Sequence, residues 1–183
     1  MTSMVALLRG INVGGRNRLA MADLRAIAAD LGYRDIATYI QSGNLLFATE
    51  QTAARVGPEL EAAIASATEV APSVVVRAGR ELLKVRDRNP YLARGVDSAH
   101  LHVVFAPGNA KAAVASLDLS AFGPDSAVAI GGELYLHLPN GVGRSKLATA
   151  IAKRGAAAGT MRSWKTVLAL AELLTAMDLS SGR

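Results

Sequence analysis

The feature that most restricts the fold is an order of secondary structure elements that hydrophobic periodicity predicts twice along the chain. The first half contains the strand patterns "MVALLR", "DIATYIQ", "NLLFAT" and "SVVVRA". Helical patterns follow the first and third of these strands, so the order is β-α-β-β-α-β. The second half repeats it with the strand patterns "HLHVVFA", "SAVAIGG", "ELYLHL" and "GTMRS". No residue-level similarity links the halves, so only the topology is repeated.

This order is that of the split βαβ, or ferredoxin-like, unit. We predict an α+β fold of two ferredoxin-like (βαββαβ) subdomains packed together, with residues 1–79 in the first and residues 80–183 in the second. The second also contains a linker helix, "RELLKVRDRN", and a C-terminal helix, "WKTVLALAELLTAM". The second helical pattern of the first half, "TAARVGPELEAAIASAT", is interrupted at Gly57-Pro58. We place its secure part from Pro58, because proline is favoured in a first helical turn.

The composition limits the class of protein. A chain of 183 residues with 51% hydrophobic and 19% charged residues is expected to fold into a globular protein. No apolar run approaches the roughly 18 residues that a membrane span requires, and no basic leader precedes the first apolar run. There is no cysteine, which excludes disulfides and thiolate chemistry. We therefore expect a soluble, cytoplasmic protein without a membrane partner, and the oligomeric state is left open.

Positive charge is unevenly distributed, although the net charge is only +5. The stretch from residue 140 to residue 165 has no acidic residue and contains Arg144, Lys146, Lys153, Arg154, Arg162 and Lys165. A second basic cluster lies between residues 77 and 94. Such fields attract phosphates or nucleic acid, whereas the alternative interpretation is a solvated basic surface.

The loop "GINVGGRNRL", residues 10–19, joins the first strand to the first helix. Glycine permits positive φ and close approach of a ligand, and successive backbone N–H groups can form a nest for an anion. The neighbouring hairpin "TYIQSGN" would approach this loop. We predict ligand-binding roles here for Arg9, Asn12, Gly14, Gly15, Arg16, Arg18, Gln41 and Asn44. The alternative is a plain strand-to-helix turn with its arginines in solvent.

A second corner of this kind is "PNGVGRSKL", residues 139–147. Its turn and its loose glycines precede a helix that Ser145 would cap. The predicted ligand-binding residues are Asn140, Arg144, Ser145 and Lys146. Lys146 and Lys153 share one helix face, which points away from Leu147. Plain capping and a solvated basic face are the alternatives.

The three histidines raise the question of a metal site. His100 and His102 alternate along one strand, and His137 shares its predicted face with Tyr135 on a later strand. A cluster on the sheet face opposite the helices would offer imidazoles to zinc, or it would fill a half-polar interface. Strand spacing alone gives no ligand geometry, so we predict no metal. No cofactor motif, catalytic triad, HExxH or GxSxG is present, so no cofactor is predicted and an enzymatic activity is left open.

Several long strings of this chain resemble a known family. They are "ALLRGINVGGRNRLAMADLR", "TYIQSGNLLF", "RNPY", "LYLHLPNGVGRSKL" and "TMRSWKTVLAL". They are similar to the signature segments of the family called domain of unknown function 1697, from about Val5 to about Leu170. Ser163 departs from the pattern, which has Asn there. The resemblance implies two ferredoxin-related subdomains and implies no established reaction, substrate or catalytic residue.

These observations support three hypotheses about function. The first, which we predict, is a binding module in which free backbone amides and arginines at the two corners hold a phosphate-bearing small molecule or a nucleic-acid backbone. The second is a small phosphate or acyl-phosphate hydrolase, with Arg9 or Arg16 as anion clamp and Asn12 or Asn44 orienting water. The third is a structural or interaction protein without a ligand.

Overall fold

The computed structural model describes residues 1–181 and shows a mixed α/β protein with two four-stranded antiparallel sheets and a C-terminal helix. The strands are β1 Thr2–Arg9, β2 Arg34–Tyr39, β3 Asn44–Thr49, β4 Ser73–Ala78, β5 Leu101–Phe105, β6 Ser126–Ile130, β7 Glu133–His137 and β8 Thr160–Ser163. The α-helices are α1 Met21–Asp30, α2 Ala53–Ala67, α3 Gly79–Asp87, α4 Ala110–Ala113, α5 Lys146–Ala152 and α6 Trp164–Ser181. Residues 182 and 183 of the predicted second subdomain lie outside the described residues.

The chain divides into two compact units. The first contains Met1–Leu83 together with the described residues from Leu170 onward, and the second contains Lys84–Ala169. Two helices, α3 and α6, therefore contribute residues to both units. The predicted boundary between residues 79 and 80 stays a prediction. Within the described residues, no helix combines the length and the apolar character needed to cross a membrane.

The first sheet has the strand order β2-β3-β1-β4, with all neighbours antiparallel. Side chains from β1 point alternately to its two faces, and Ala6 and Leu8 join the core against which α1 and α2 pack. Leu24 from α1 and Leu60 from α2 are fully buried in that core. The alternating side chains of β1 and the helically spaced side chains of α1 and α2 thus form one apolar layer.

Helix α2 begins at Ala53, within the predicted helical pattern, and continues through Gly57 and Pro58, where the sequence indicated an interruption. Pro58 lies inside the helix and lacks the N–H that would bond the carbonyl of the fourth preceding residue. The extra turn nevertheless buries Val56 completely in the apolar layer. Burial of a valine side chain contributes about 1.5–3 kcal/mol, which offsets the missing bond.

The second sheet has the strand order β6-β7-β5-β8, again antiparallel. One face packs on α4 and α5, where Leu147 and Ile151 contribute to the core. On the other face, the Tyr135 hydroxyl donates to the carbonyl oxygen of Val85 at 3.0 Å. The Tyr91 hydroxyl is hydrogen-bonded to Ser126 Oγ, also at 3.0 Å. Within this unit, the segment from α3 to Tyr91 therefore covers the sheet face opposite α4 and α5.

Candidate functional site

The loop between β1 and α1 is organised by the side chain of Asn12. Its Nδ2 donates to the carbonyl oxygens of Leu19 and Gln41, both at 2.9 Å, and its Oδ1 accepts from the Leu19 amide at 2.9 Å. The bond to Gln41 brings the loop against the β2-β3 hairpin, as the sequence predicted. Asn12 has a φ of +53°, a conformation that asparagine tolerates better than most residues.

Two backbone amides at this corner are satisfied by carbonyls of the loop. The Asn12 amide donates to the carbonyl oxygen of Asn17 at 3.0 Å, and the Arg16 amide donates to that of Val13 at 3.1 Å. Gly14 and Gly15 both have positive φ and form the centre of this tight turn. The Asn12 and Arg16 amides therefore do not contribute to the predicted anion nest, which stays a prediction for the rest of the loop. Arg16 and Arg18 remain exposed.

Asn44 is fully buried at the start of β3. Its Nδ2 donates to the Tyr39 carbonyl oxygen at 2.9 Å and to Ser42 Oγ at 3.0 Å. Both amide hydrogens are thereby used to hold the hairpin turn. The structure thus places Asn44 away from solvent, while Gln41 is exposed and Arg9 is half-buried.

The second predicted corner borders a cavity of about 300 Å³ at the start of α5. Its lining consists of Gly143, Arg144, Ser145, Lys146, Thr149, Ala150 and Lys153. Three of these side chains are cationic and none is acidic. Asn140, in contrast, is exposed in the preceding turn and is not part of the lining. Sequence reasoning left Thr149 and Lys153 out of the site, although their spacing from Lys146 by three and seven residues puts them on one helix face.

Ser145 is held rigidly at the inner side of this cavity. Its Oγ accepts from the Ala148 amide at 2.8 Å, which confirms the predicted cap, and donates to Asp125 Oδ2 at 2.8 Å. Both Ser145 and Asp125 are buried. The amides of Arg144 and Ser145 donate to carbonyls of residues 141 and 142, so the predicted free backbone amides are absent at these two positions. Side chains therefore supply the charge of this cavity.

Two other basic residues of the acid-free stretch, Arg154 and Arg162, make hydrogen bonds away from the cavity. Arg154 donates from Nε to the Ala113 carbonyl oxygen at 2.7 Å and from Nη1 to Ser116 Oγ. Arg162 is only 7% exposed, and burial lowers its pKa to about 10. Its Nη1 donates to Thr160 Oγ1 at 2.7 Å. Arg154 and Arg162 are thus structural cations, three other cations of the basic stretch line the cavity, and Lys165 is exposed outside it.

The predicted face shared by the histidines is wrong. His102 pairs with Leu136 and His137 pairs with Leu101, so the two imidazoles project from opposite faces of the sheet. His100 lies in a short 3-10 turn before β5. A shift of one residue in the assumed register accounts for the error, because it moves a side chain to the other face. Among the described residues, no group of three His, Cys, Asp or Glu side chains is placed to hold a metal ion.

The burial of His102 predicts a loss of stability in mild acid. Burial lowers its pKa below the ordinary value of 6.5, so the unfolded chain takes up this proton at a higher pH than the folded protein does. The free energy of unfolding should therefore fall as the pH drops below 6.5, by at most about 1.4 kcal/mol per pH unit.

Urea unfolding at about pH 7.5 and about pH 5.5 measures this loss. His102→Gln should lose less stability between the two conditions than the unsubstituted protein. His137→Gln is the matched control and should keep the full loss. Equal losses in all three proteins would contradict the assignment to His102.

Together, the fold and the cavity define a two-unit α/β protein with a basic pocket beside a capped helix. The chain matches, over residues 1–135, the family described as "Protein of unknown function (DUF1697)", and it belongs to that family. This confirms the resemblance read from the sequence.

A solved structure similar to this chain is that of the conserved bacterial protein SP0830 from Streptococcus pneumoniae, with a TM-score of 0.76. The identity is 22%, and the match covers 94% of this chain and 98% of that one, so the likeness concerns the fold. No curated protein matches the chain.

Proposed function

We propose that this protein is a binding module for a phosphate-bearing ligand, either a small molecule or a nucleic-acid backbone. The single observation that supports the proposal most strongly is the cavity of about 300 Å³ lined by Arg144, Lys146 and Lys153 without an acidic side chain. Lysine and arginine are the usual protein partners of phosphate, and arginine adds a forked pair of donors. The volume lies at the lower end of small-molecule pockets.

The proposal rests on side chains and not on backbone amides. Lys146 and Lys153 are exposed on the helix face opposite the buried Leu147 and Ile151. Their ammonium groups have long, adaptable stems, and Arg144 is exposed at the mouth of the same cavity. Three convergent cations attract an anion more strongly than the same charges dispersed over a surface.

A triple variant, Arg144→Ala, Lys146→Ala and Lys153→Ala, tests the proposal. We expect it to bind pyrophosphate and a short phosphorylated oligonucleotide at least about tenfold more weakly at low salt, because charge-assisted bonds to the phosphate are removed. Isothermal titration calorimetry measures the affinities. Lys165→Ala is the matched control, since Lys165 is exposed on α6 of the same unit and does not line the cavity. Binding that is unchanged in the triple variant, or absent in the parent protein, would refute the proposal.

The hydrogen bonds of Asn12 and Asn44 do not support the hydrolase alternative, in which one of these two side chains would orient water. Both Nδ2 hydrogens of Asn12 and both of Asn44 donate to oxygens of the protein, so neither amide has a hydrogen left with which to orient water.

We also infer that each unit contains a ferredoxin-like βαββαβ subdomain. The support is that both sheets place their first and third strands at the centre in the same order, β2-β3-β1-β4 and β6-β7-β5-β8. A cytoplasmic location likewise stays a prediction, which cell fractionation would test.

A further inference from the structure

We propose that the cavity beside α5 takes a small phosphate monoester that carries a hydroxyl group next to its phosphate, such as a sugar phosphate, in preference to a nucleic-acid backbone. The inference rests on the proposed function and names the class of ligand. It is based on two observations. One is the position of the cations of the acid-free stretch, and the other is the set of hydrogen-bonding groups that line the cavity.

The first step concerns the extent of the positive charge. A polyanion is held by many cations placed along its length, and each neutralised phosphate adds to the salt dependence of binding. In this unit Arg154 is tied to Ala113 and Ser116, and Arg162 is buried in β8. Of the three cations that remain at the cavity, Lys146 and Lys153 are seven residues apart along the helix, which corresponds to about 10 Å, and Arg144 lies just before the helix. That length matches one phosphate and its attached group better than a track of successive phosphates.

The second step concerns the sign and amount of charge. The cavity is lined by three cations, and the Asp125 carboxylate lies behind it in contact with Ser145 Oγ. Three positive charges and one negative charge leave a formal balance of +2. A phosphate monoester has a charge of about −1.5 to −2 at neutral pH, whereas each phosphodiester has only about −1. The monoester is therefore the better electrostatic match.

The third step concerns Thr149. Its hydroxyl donates to the Ser145 carbonyl oxygen at 2.9 Å, so the hydrogen is already used. The hydroxyl oxygen then offers only lone pairs to the cavity, which suit a donor on the ligand. The phosphate group of a monoester dianion has no hydrogen to give, but a sugar hydroxyl has one. Lys146 and Lys153 would hold the phosphate while Thr149 accepts from the neighbouring hydroxyl.

The helix end itself contributes little to this site. α5 has only seven residues, and the Ala148 amide at its start is taken by Ser145 Oγ. Ligand class is therefore decided by the side chains of Arg144, Lys146, Lys153 and Thr149.

Calorimetric titrations of the full chain with glucose 1-phosphate, methyl phosphate, glucose and an oligothymidylate without terminal phosphates test the inference. We expect glucose 1-phosphate to bind at least about tenfold more tightly than glucose or the oligothymidylate, because of its charge-assisted contacts, and at least about threefold more tightly than methyl phosphate, because of one neutral hydrogen bond. Thr149→Val should remove the advantage over methyl phosphate and leave the affinity for methyl phosphate unchanged. Thr175→Val, on α6, is the matched control and should change neither affinity.

The outcomes separate this inference from the proposed function. An oligothymidylate that binds as tightly as glucose 1-phosphate, with affinity lost in the triple cation variant, would overturn the monoester preference and keep phosphate binding at the cavity. Equal affinities for glucose 1-phosphate and methyl phosphate would overturn the role of Thr149. Absence of binding by every phosphate-bearing probe would overturn both the inference and the proposed function.

Discussion

Replacing Gly159 with alanine should lower the free energy of unfolding by about 3 kcal/mol or more, the largest effect that we expect from a single methyl group in this protein. Gly159 precedes β8, is buried and has a φ of +91°. A Cβ there would overlap the carbonyl oxygen of Phe105 at the end of β5. Because the obstacle is backbone of a paired strand, relief requires that β8 move away from β5.

Gly155→Ala is the matched control. Gly155 also has a positive φ, +64°, but a Cβ added there would meet no atom within 4 Å. This substitution should therefore cost only the backbone strain of about 1 kcal/mol. Urea unfolding of both variants measures the difference. Equal destabilisation by the two substitutions would show that close packing of β8 on β5 is not what requires glycine at residue 159.

Local chemistry predicted the hairpins of both sheets. Alternating apolar side chains around Ser42-Gly43 and around Gly131-Gly132 predicted β2 with β3 and β6 with β7, and the strand pairing confirms both. Gly43 and Gly131 have φ values of +79° and +61°, which explains why glycine marks these turns. A turn is decided by residues adjacent in sequence, so its signal is present in the sequence itself.

Features that depend on strand register or on partners distant in the chain could not be predicted from local sequence. The strand pattern around His102 correctly indicates β5, although His100 lies before it, but the pattern does not say which face of the strand meets the helices. That face follows from the pairing of His102 with Leu136, 34 residues away. The first turn of α2, ahead of Pro58, likewise depends on the burial of Val56 in the core, which overrides the local preference of Pro58.

In the candidate site, too, the features set by neighbouring residues were predicted and those set by distant partners were not. The segment around Ser145 was recognised as a helix cap with basic neighbours, because these signals lie within a few residues. Ser145 is bonded to Asp125, 20 residues away, and Arg154 is bonded to the carbonyl oxygen of Ala113, 41 residues away. Neither bond has a signature in the sequence, because the partners are distant along the chain. A count of basic residues therefore overestimates the positive surface that this stretch offers to a polyanion, because Arg154 and Arg162 are held by hydrogen bonds within the protein.

Asn12→Ala should destabilise the protein by about 4 kcal/mol. It removes three hydrogen bonds, each contributing about 1 kcal/mol, and it places alanine at a φ of +53°. The glycines of this loop were read from the sequence as room for a ligand. The structure shows that the loop's asparagines fix its path, and that Asn12 fastens it to the hairpin through Gln41.

Asn17→Ala is the matched control in the same loop. Asn17 also has a positive φ, +49°, but its side chain makes one bond, to the Gly10 carbonyl oxygen at 2.8 Å. We expect this variant to lose about 2 kcal/mol of unfolding free energy, about 1 kcal/mol for the hydrogen bond and about 1 kcal/mol for alanine at a positive φ. Hydrogen exchange gives a second measurement, since the Leu19 amide donates to Asn12 Oδ1 and should lose protection in Asn12→Ala alone. Unchanged protection of Leu19 would mean that the loop keeps its path without Asn12, because the bonds from its backbone then suffice.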